Sequence, residues 1–261
     1  MASEDLDQIE ERLRQRIAAQ NSLNLKSDAA DLRGSLPNTP LAVAIIAFAL
    51  GGLFGVSFLV FVFGGFEGYW WSTYQLAFFF CAWSFFHWAE FAVTAGWNLE
   101  KCNIDSFLLN NGNMYHIAHA TALSEYLITL HFMPGGKRIA YISQIGVIIT
   151  LCGQALRSLA MIHASTNFSH AVAFEKRSNH KLVTDGIYAW FRHPSYAGFF
   201  YWALGTQLVL QNPVSFSLYS FLLWRFFYYR TRAEERALIK FFGQDYVGYR
   251  RRVGTKIPFI P

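Results

Sequence analysis

Apolar residues along this chain come in blocks far longer than the narrow stripe of a soluble amphipathic helix. Residues 41–65 run for 25 positions without a charge, enough at about 1.5 Å per residue to cross the ~30 Å hydrocarbon core of a bilayer. A second block, 68–95, is broken only by His87 and Glu90, and a weaker third, 113–133, carries His116, His119 and Glu125. A fourth, 139–162, has Gln154 and Arg157 toward its end. The last, 194–224, has no charged residue in 31 positions, which is too long for one span, and Asn212-Pro213 divides it near the middle. Proline cannot continue a helix, so the block reads as two short spans joined by an Asn-Pro turn. The pattern predicts an all-α polytopic membrane protein with about six transmembrane helices, the last two forming a helical hairpin. Residues 1–40 are polar, with seven acids and five bases, and read as a cytosolic N-terminal tail ahead of a 41–261 transmembrane domain. That tail lacks the apolar core of a signal peptide, so the first internal span is expected to start insertion.

Composition agrees with the pattern. Of the 261 residues, 53% are hydrophobic, 18% aromatic and only 15% charged, against a usual ~25% charged for soluble domains. The charges left could not coat a soluble globule, and a disordered or collagen-like chain is excluded by the same numbers. The net charge of +5 does not point to nucleic acid, because nine of the 22 Lys and Arg lie after residue 224. Basic residues beside spans mark the cytosolic side and meet anionic lipid. With six spans both termini share that side, which then collects the tail's bases, Lys101, four bases in 163–193 and the final nine, while Lys137 and Arg138 face the other way. Cys81, Cys102 and Cys152 form no CxxC, which argues against a disulfide framework or a Cys-rich metal site. No repeat of 20–50 residues recurs, and no inverted repeat suggests a transporter.

The polar residues hardest to explain as packing fall in 163–261. The loop and the start of the fifth span read His180-Lys-Leu-Val-Thr-Asp-Gly186-Ile-Tyr188-Ala-Trp-Phe-Arg192-His193-Pro194-Ser195-Tyr196-Ala-Gly198. Pro194 suits the first position of a helix, whose open N–H groups and dipole can hold an anion such as a carboxylate, with Arg192 and His193 adding to it. Gly186 and Gly198 allow close backbone approach. Taken alone the segment also fits a plain basic turn at the membrane surface. After the hairpin, Arg230 and Glu234 sit four apart on one helical face. Together, a basic glycine-bearing turn and an Arg/Glu pair predict a pocket at the cytosolic face. His87 and Glu90 read as a buried polar pair at a helix interface rather than half of a metal site, and His116, His119 and Glu125 read likewise. Arg250-Arg-Arg252 reads as a surface charge run near lipid headgroups.

These blocks also carry a resemblance. The run from Ser169-His170 through His180–Val183, Gly186, Tyr188 and Arg192-His193-Pro194-Ser195-Tyr196, with Arg230 and Glu234-Glu235, resembles the isoprenylcysteine carboxyl methyltransferases of the endoplasmic reticulum. Ser106–Asn111 and the ending Ile257-Pro-Phe-Ile260 are similar to the same family, over roughly residues 80–261. The animal members have two further N-terminal spans, and this chain is more similar to the six-span fungal form.

The resemblance implies methyl transfer from S-adenosylmethionine to the C-terminal carboxylate of a farnesylated or geranylgeranylated cysteine in processed CaaX proteins. It implies an endoplasmic reticulum membrane location, with both termini cytosolic, and leaves the oligomeric state open. It implies cofactor contacts from His180, Lys181, Leu182, Val183, Tyr188, His193, Pro194, Ser195, Tyr196 and Glu234, with Arg230 holding the substrate carboxylate and Arg230 and Glu234 forming the catalytic pair. No metal and no nucleic acid are implied. Where animal members carry Gln at a cofactor contact, this chain has Ala173, so that contact is not carried over. There is no GxGxxG after a strand, which excludes a soluble Rossmann-type methyltransferase. Two other classes stay in view: an NADPH-dependent membrane sterol or lipid reductase, with Lys176, Arg177 and Lys181 near a 2′-phosphate, and a non-enzymatic membrane adaptor.

Overall fold

The computed structural model describes residues 38–133, 139–170, 176 and 180–261. The expected N-terminal tail up to residue 37, the pair Lys137 and Arg138, and the Ala173 and Arg177 positions lie outside the described residues. Among the described residues seven α-helices follow in order: α1 (Pro40–Val62), α2 (Tyr74–Trp97), α3 (Asn113–Phe132), α4 (Ile142–Ala164), α5 (Pro194–Leu210), α6 (Pro213–Phe242) and α7 (Gln244–Arg252). Short 3₁₀ turns occupy parts of the links, and there is no strand among the described residues.

Local chemistry sets the helix limits. Thr39 caps α1, its hydroxyl accepting the Ala42 N–H at 3.2 Å, with Pro40 at the first helical position. The second apolar block was expected from residue 68, but the helix starts only at Tyr74. Gly64, Gly65 and Gly68 take positive φ, the Phe66 N–H donates to Ser72 Oγ at 2.9 Å, and Thr73 supplies the cap. At the other boundary Gln211 takes a left-handed φ of 51° after α5, and Pro213 opens α6. The open N–H groups of α6 are met from α3, where the Glu125 carboxylate accepts from Val214 N at 2.9 Å and Ser215 N at 2.6 Å. Glu125, an acid inside an apolar block, is therefore a cap supplied in trans.

Helix α6 is the main departure from the expected spans. It does not stop near Trp224 but runs 30 residues to Phe242, about 45 Å. Arg230 and Glu234 thus ride on the same rigid rod as the apolar start. Among the described residues, three helices are long and apolar enough to cross a membrane: Pro40–Val62, Tyr74–Trp97 and Ile142–Asn167. α3 carries too much polar material for that criterion and α5 has only 17 residues.

α4 and α5 form the tightest pair in the structure. Gly146 and Gly153 on α4 lie against Gly205 and Gly198 on α5, so the backbones touch without side chains between them. A Cβ on Gly153 would sit 2.5 Å from Trp202 N and 2.7 Å from Gly198 O. Gly198 therefore admits a neighbouring helix backbone, at Arg157, rather than a ligand. This close approach of small residues suits helices in lipid, where packing replaces the hydrophobic drive between them. Gly153→Ala is expected to destabilise the protein by about 1–3 kcal/mol through overpacking, read as a lowered thermal midpoint in lipid nanodiscs. An unchanged midpoint would show that the contact gives way freely.

Candidate active site

A cavity of about 680 Å³ of empty space, counted to its open mouth, lies where the end of α4, the 180–188 loop, the start of α5 and the α6–α7 corner meet. His180, Lys181, Leu182, Val183, Tyr188, His193, Pro194, Ser195, Tyr196 and Glu234 all line it. Residues from four separate stretches of sequence are thus gathered on one wall system.

Each wall has a local cause. Lys181 N–H donates to Asn167 Oδ1 at 2.8 Å, which holds the loop against the end of α4. Gly186 takes φ +53° with the His163 ring packed where a Cβ would project, so only glycine fits. Tyr188 donates to Ala160 O at 3.2 Å, and Tyr249 on α7 donates to Tyr188 O at 2.7 Å. Burial pushes the Tyr188, Tyr246 and Tyr249 phenols up, so they remain neutral donors. Pro194 is the first residue of α5 as expected. The anion-binding turn is narrower than expected, however. Pro194 has no N–H, and those of Tyr196 and Ala197 both bond His193 O at 3.1 Å, which leaves Ser195 N–H.

Among the buried polar atoms of the lining without an aligned hydrogen bond, Arg192 Nε and His193 Nε2 both lie against the Glu235 carboxylate, the latter at 3.4 Å from Oε1, which leaves the Tyr246 hydroxyl. A buried polar group without a partner is costly, so the Tyr246 hydroxyl marks where a ligand's polar atom would be welcome. Tyr246 and Tyr249, with Leu238 and Phe242, were missed by the sequence reading. Their signal was present: two tyrosines three apart on a short helix right after α6 both turn inward.

Arg230 and Glu234 are joined through a third residue. Arg230 Nε donates to the Tyr196 hydroxyl at 2.8 Å, and that hydroxyl donates to Glu234 Oε2. Arg230 Nη2 donates to His170 O, and its guanidinium lies over the Tyr196 and Phe226 rings. His193 stacks on Tyr196 with centroids 5.3 Å apart and ring planes 6° from parallel. Arg230 itself is not among the cavity-lining residues and sits behind Tyr196. Three of its five N–H donors stay available, on Nη1 and the outer edge of Nη2.

Arg192 was expected to reinforce an anion site, and the structure corrects this. Its guanidinium is 4% exposed and is spent on the protein, with Nη1 donating to Val253 O at 2.7 Å and Arg250 O at 3.2 Å and Nη2 to Pro261 O. Its Nε lies 2.6 Å from Glu235 Oε1, a charge contact not aligned as a hydrogen bond. His193 at 3.4 Å and Arg250 at 3.3 Å complete the cluster. Glu235 lies beyond the apolar part of α6. Burial alone would raise its carboxyl, but contact with His193 and the charges of Arg192 and Arg250 hold it below the usual carboxylate value.

Beneath the cavity lies a buried ion pair. Arg157 on α4 meets Glu90 on α2 with both edges of the fork, Nη2 at 2.8 Å from Oε2 and Nε on Oε1. Arg157 Nη1 also donates to Ser195 Oγ at 3.0 Å, and His170 Nε2 lies 2.9 Å from Glu90 Oε2. His87 and Glu90 are thus not partners of each other. His87 contacts Phe107 O and the Tyr115 hydroxyl, each at 2.7 Å.

The comparisons with known proteins agree with one another. A sequence model of the isoprenylcysteine carboxyl methyltransferase family matches residues 146–240. The chain is similar to the protein-S-isoprenylcysteine O-methyltransferase of Homo sapiens, at 43% identity over 218 residues covering 84% of this chain and 75% of that protein. It is also similar to that of Schizosaccharomyces pombe, at 42% over 245 residues covering 86% and 98%. In Saccharomyces cerevisiae the identity is 45% over 188 residues, covering 70% and 79%. A solved structure of a eukaryotic intramembrane Ras methyltransferase, an isoprenylcysteine carboxyl methyltransferase, matches with a TM-score of 0.80 at 35% identity, covering 95% of this chain and 86% of that one.

Proposed function

The chain belongs to the isoprenylcysteine carboxyl methyltransferase family, and from that premise we propose that its cavity takes S-adenosylmethionine and delivers the methyl group to a prenylcysteine carboxylate held by Arg230. The protein is a multi-pass membrane enzyme that methylates the C-terminal carboxyl of prenylated cysteine in CaaX proteins. The observation that carries the site assignment is the convergence of ten residues from distant stretches on one cavity, with the Arg230–Tyr196–Glu234 line along its edge.

The lining fits this cofactor. Glu234 offers a carboxylate to a cationic or hydroxyl group, and Ser195 N–H with the α5 dipole faces a carboxylate. The unpartnered Tyr246 hydroxyl can meet a polar atom of the ligand, and the rings of Tyr188, Phe242 and Tyr249 can flank a flat base. When bound, S-adenosylmethionine supplies an electrophilic methyl group on a sulfonium.

The residues do the rest by placement. An α-carboxylate has a pKa of ~3.3–3.7, so at neutral pH it is already the nucleophile and no general base is needed. Arg230 neutralises and orients it with the outer edge of its fork, while Tyr196 and His170 O fix the inner edge. Tyr196 in turn sets Glu234, so substrate holder and cofactor holder are registered through one hydroxyl. His193, stacked on Tyr196, keeps that ring upright.

We further place six helices across the membrane, α1 to α6, with α5 and the apolar start of α6 as a tight hairpin. The length of α3 and the charge-free run over 194–224 support this. The excess of bases after residue 224 supports a cytosolic cavity and cytosolic termini, and the family resemblance supports the endoplasmic reticulum as the membrane. The testing experiment uses purified protein in lipid with labelled S-adenosylmethionine and N-acetyl-S-farnesylcysteine. Base-labile methyl ester is expected from wild type and loss of it from Glu234→Ala. No ester from folded protein would withdraw the assignment.

A further inference from the structure

The segment after α7 returns along α5 and α6 as a strap. Ile257 and Ile260 are 3% and 6% exposed and join Ala197, Phe200 and Phe227 in one apolar cluster, packed against Trp224 and Tyr228. Between them the chain makes a tight turn, with Ile260 N–H donating to Ile257 O at 3.2 Å. Thr255 staples its base by donating to Ile260 O and accepting from Ile257 N–H. Pro258 occupies the second position of that turn and Phe259 the third, with φ +60°. This is the pattern of a type II turn, whose third position is suited to glycine. Here it carries a phenylalanine that is 89% exposed.

A large apolar side chain on a backbone conformation that disfavours it, pointing away from the protein, gains nothing from the fold itself. Its surroundings say what it meets. The Tyr201 hydroxyl, in the second turn of α5, donates to Lys256 O at 2.6 Å, which fixes the strap's depth along the helix. Trp224 and Tyr228, against which the strap packs, lie at the end of the charge-free run, beside exposed Arg225. Aromatic rings with flanking Lys and Arg are the composition of a bilayer interface.

We propose that Phe259 is a membrane-interface anchor that seats the C-terminal strap in the acyl-headgroup boundary of the lipid bilayer, with Lys256 and Arg225 toward the headgroups. The strap also holds the site. The carbonyls of Val253 and Pro261 accept from Arg192, the residue next to His193, so seating the strap steadies the first turn of α5. The proposal rests on the reading of α5 and α6 as a membrane hairpin.

The experiment places a nitroxide at Phe259→Cys in full-length protein in which Cys102 and Cys152 are serine, reconstituted in phosphatidylcholine–phosphatidylserine nanodiscs. Collisions with oxygen and with a water-soluble nickel chelate are compared, using Phe221→Cys as the hairpin control and Asp245→Cys as the water control. The expected result is loss of nickel-chelate collisions at 259 and 221 but not at 245. Nickel accessibility at 259 with 221 shielded overturns the anchor and leaves the hairpin standing. Accessibility at both removes the hairpin and the anchor with it. As a second readout, Phe259→Gly suits the turn and would raise the thermal midpoint in nanodiscs if the side chain served only the fold. A lowered midpoint in Phe259→Gly, with the wild-type midpoint kept in Phe259→Leu, is expected, and a raised one in Phe259→Gly overturns the proposal.

Discussion

Arg230→Ala is expected to lower methyl-ester formation by roughly 10²–10³-fold, the usual cost of removing one donor that faces reacting charge. The substrate carboxylate would lose its only cation along the Arg230–Tyr196–Glu234 line, and Tyr196 would lose the donor that orders its hydroxyl. Because the carboxylate is the nucleophile, the defect should fall on both KM for the prenylcysteine and kcat. Affinity for S-adenosylmethionine, whose expected contacts lie across Tyr196, should change much less. Arg230→Lys keeps a charge but loses the fork that spans Tyr196 and His170 O, so only partial recovery is expected. Full turnover in Arg230→Ala, from protein with an unchanged thermal midpoint, would remove Arg230 from the site.

The largest stability effect is expected at Glu90. Both Glu90 and Arg157 are buried, at 1% and 7% exposure. Removing one partner leaves a desolvated charge, at a cost of about 3–5 kcal/mol. Glu90→Ala should therefore lower the thermal midpoint sharply and reduce the yield of folded protein. The double change Glu90→Leu with Arg157→Met removes both charges and should recover most of the stability. It would not recover activity, because Arg157 also holds Ser195 Oγ at the cavity wall. A Glu90→Ala midpoint matching wild type would mean that the pair is held for specificity alone. Full activity in the double variant would show that the Ser195 contact does nothing for the site.

Much of this protein can be read along the chain because its signals are local. Charge-free length marks the apolar helices, and Pro194 and Pro213 mark where helices begin, since proline chemistry acts within one turn. Thr73, whose cap delays α2 to Tyr74, is as local a signal but was not read. The members of the candidate site were legible from the short motifs His180–Val183, Arg192–Tyr196 and Arg230/Glu234, whose residue types and spacing carried the family resemblance.

Other features belong to the packing. Glu90 and Arg157 are 67 positions apart, and each alone reads only as a charge in an apolar block in need of some partner. Arg192 stands in the expected anion site yet is turned toward Glu235 and the returning tail. Tyr196 separates Arg230 from Glu234, which spacing alone would pair. The four glycines of α4 and α5 declare small residues but not which helix they face. The reason is common to all of these. Span length, caps and motifs follow from interactions within a few residues, so the sequence by itself determined the apolar blocks, most of the helices they form and ten of the residues that line the cavity. The partner of each buried charge and the direction of each functional side chain follow from the rotation and crossing of whole helices, and only the tertiary packing decided them.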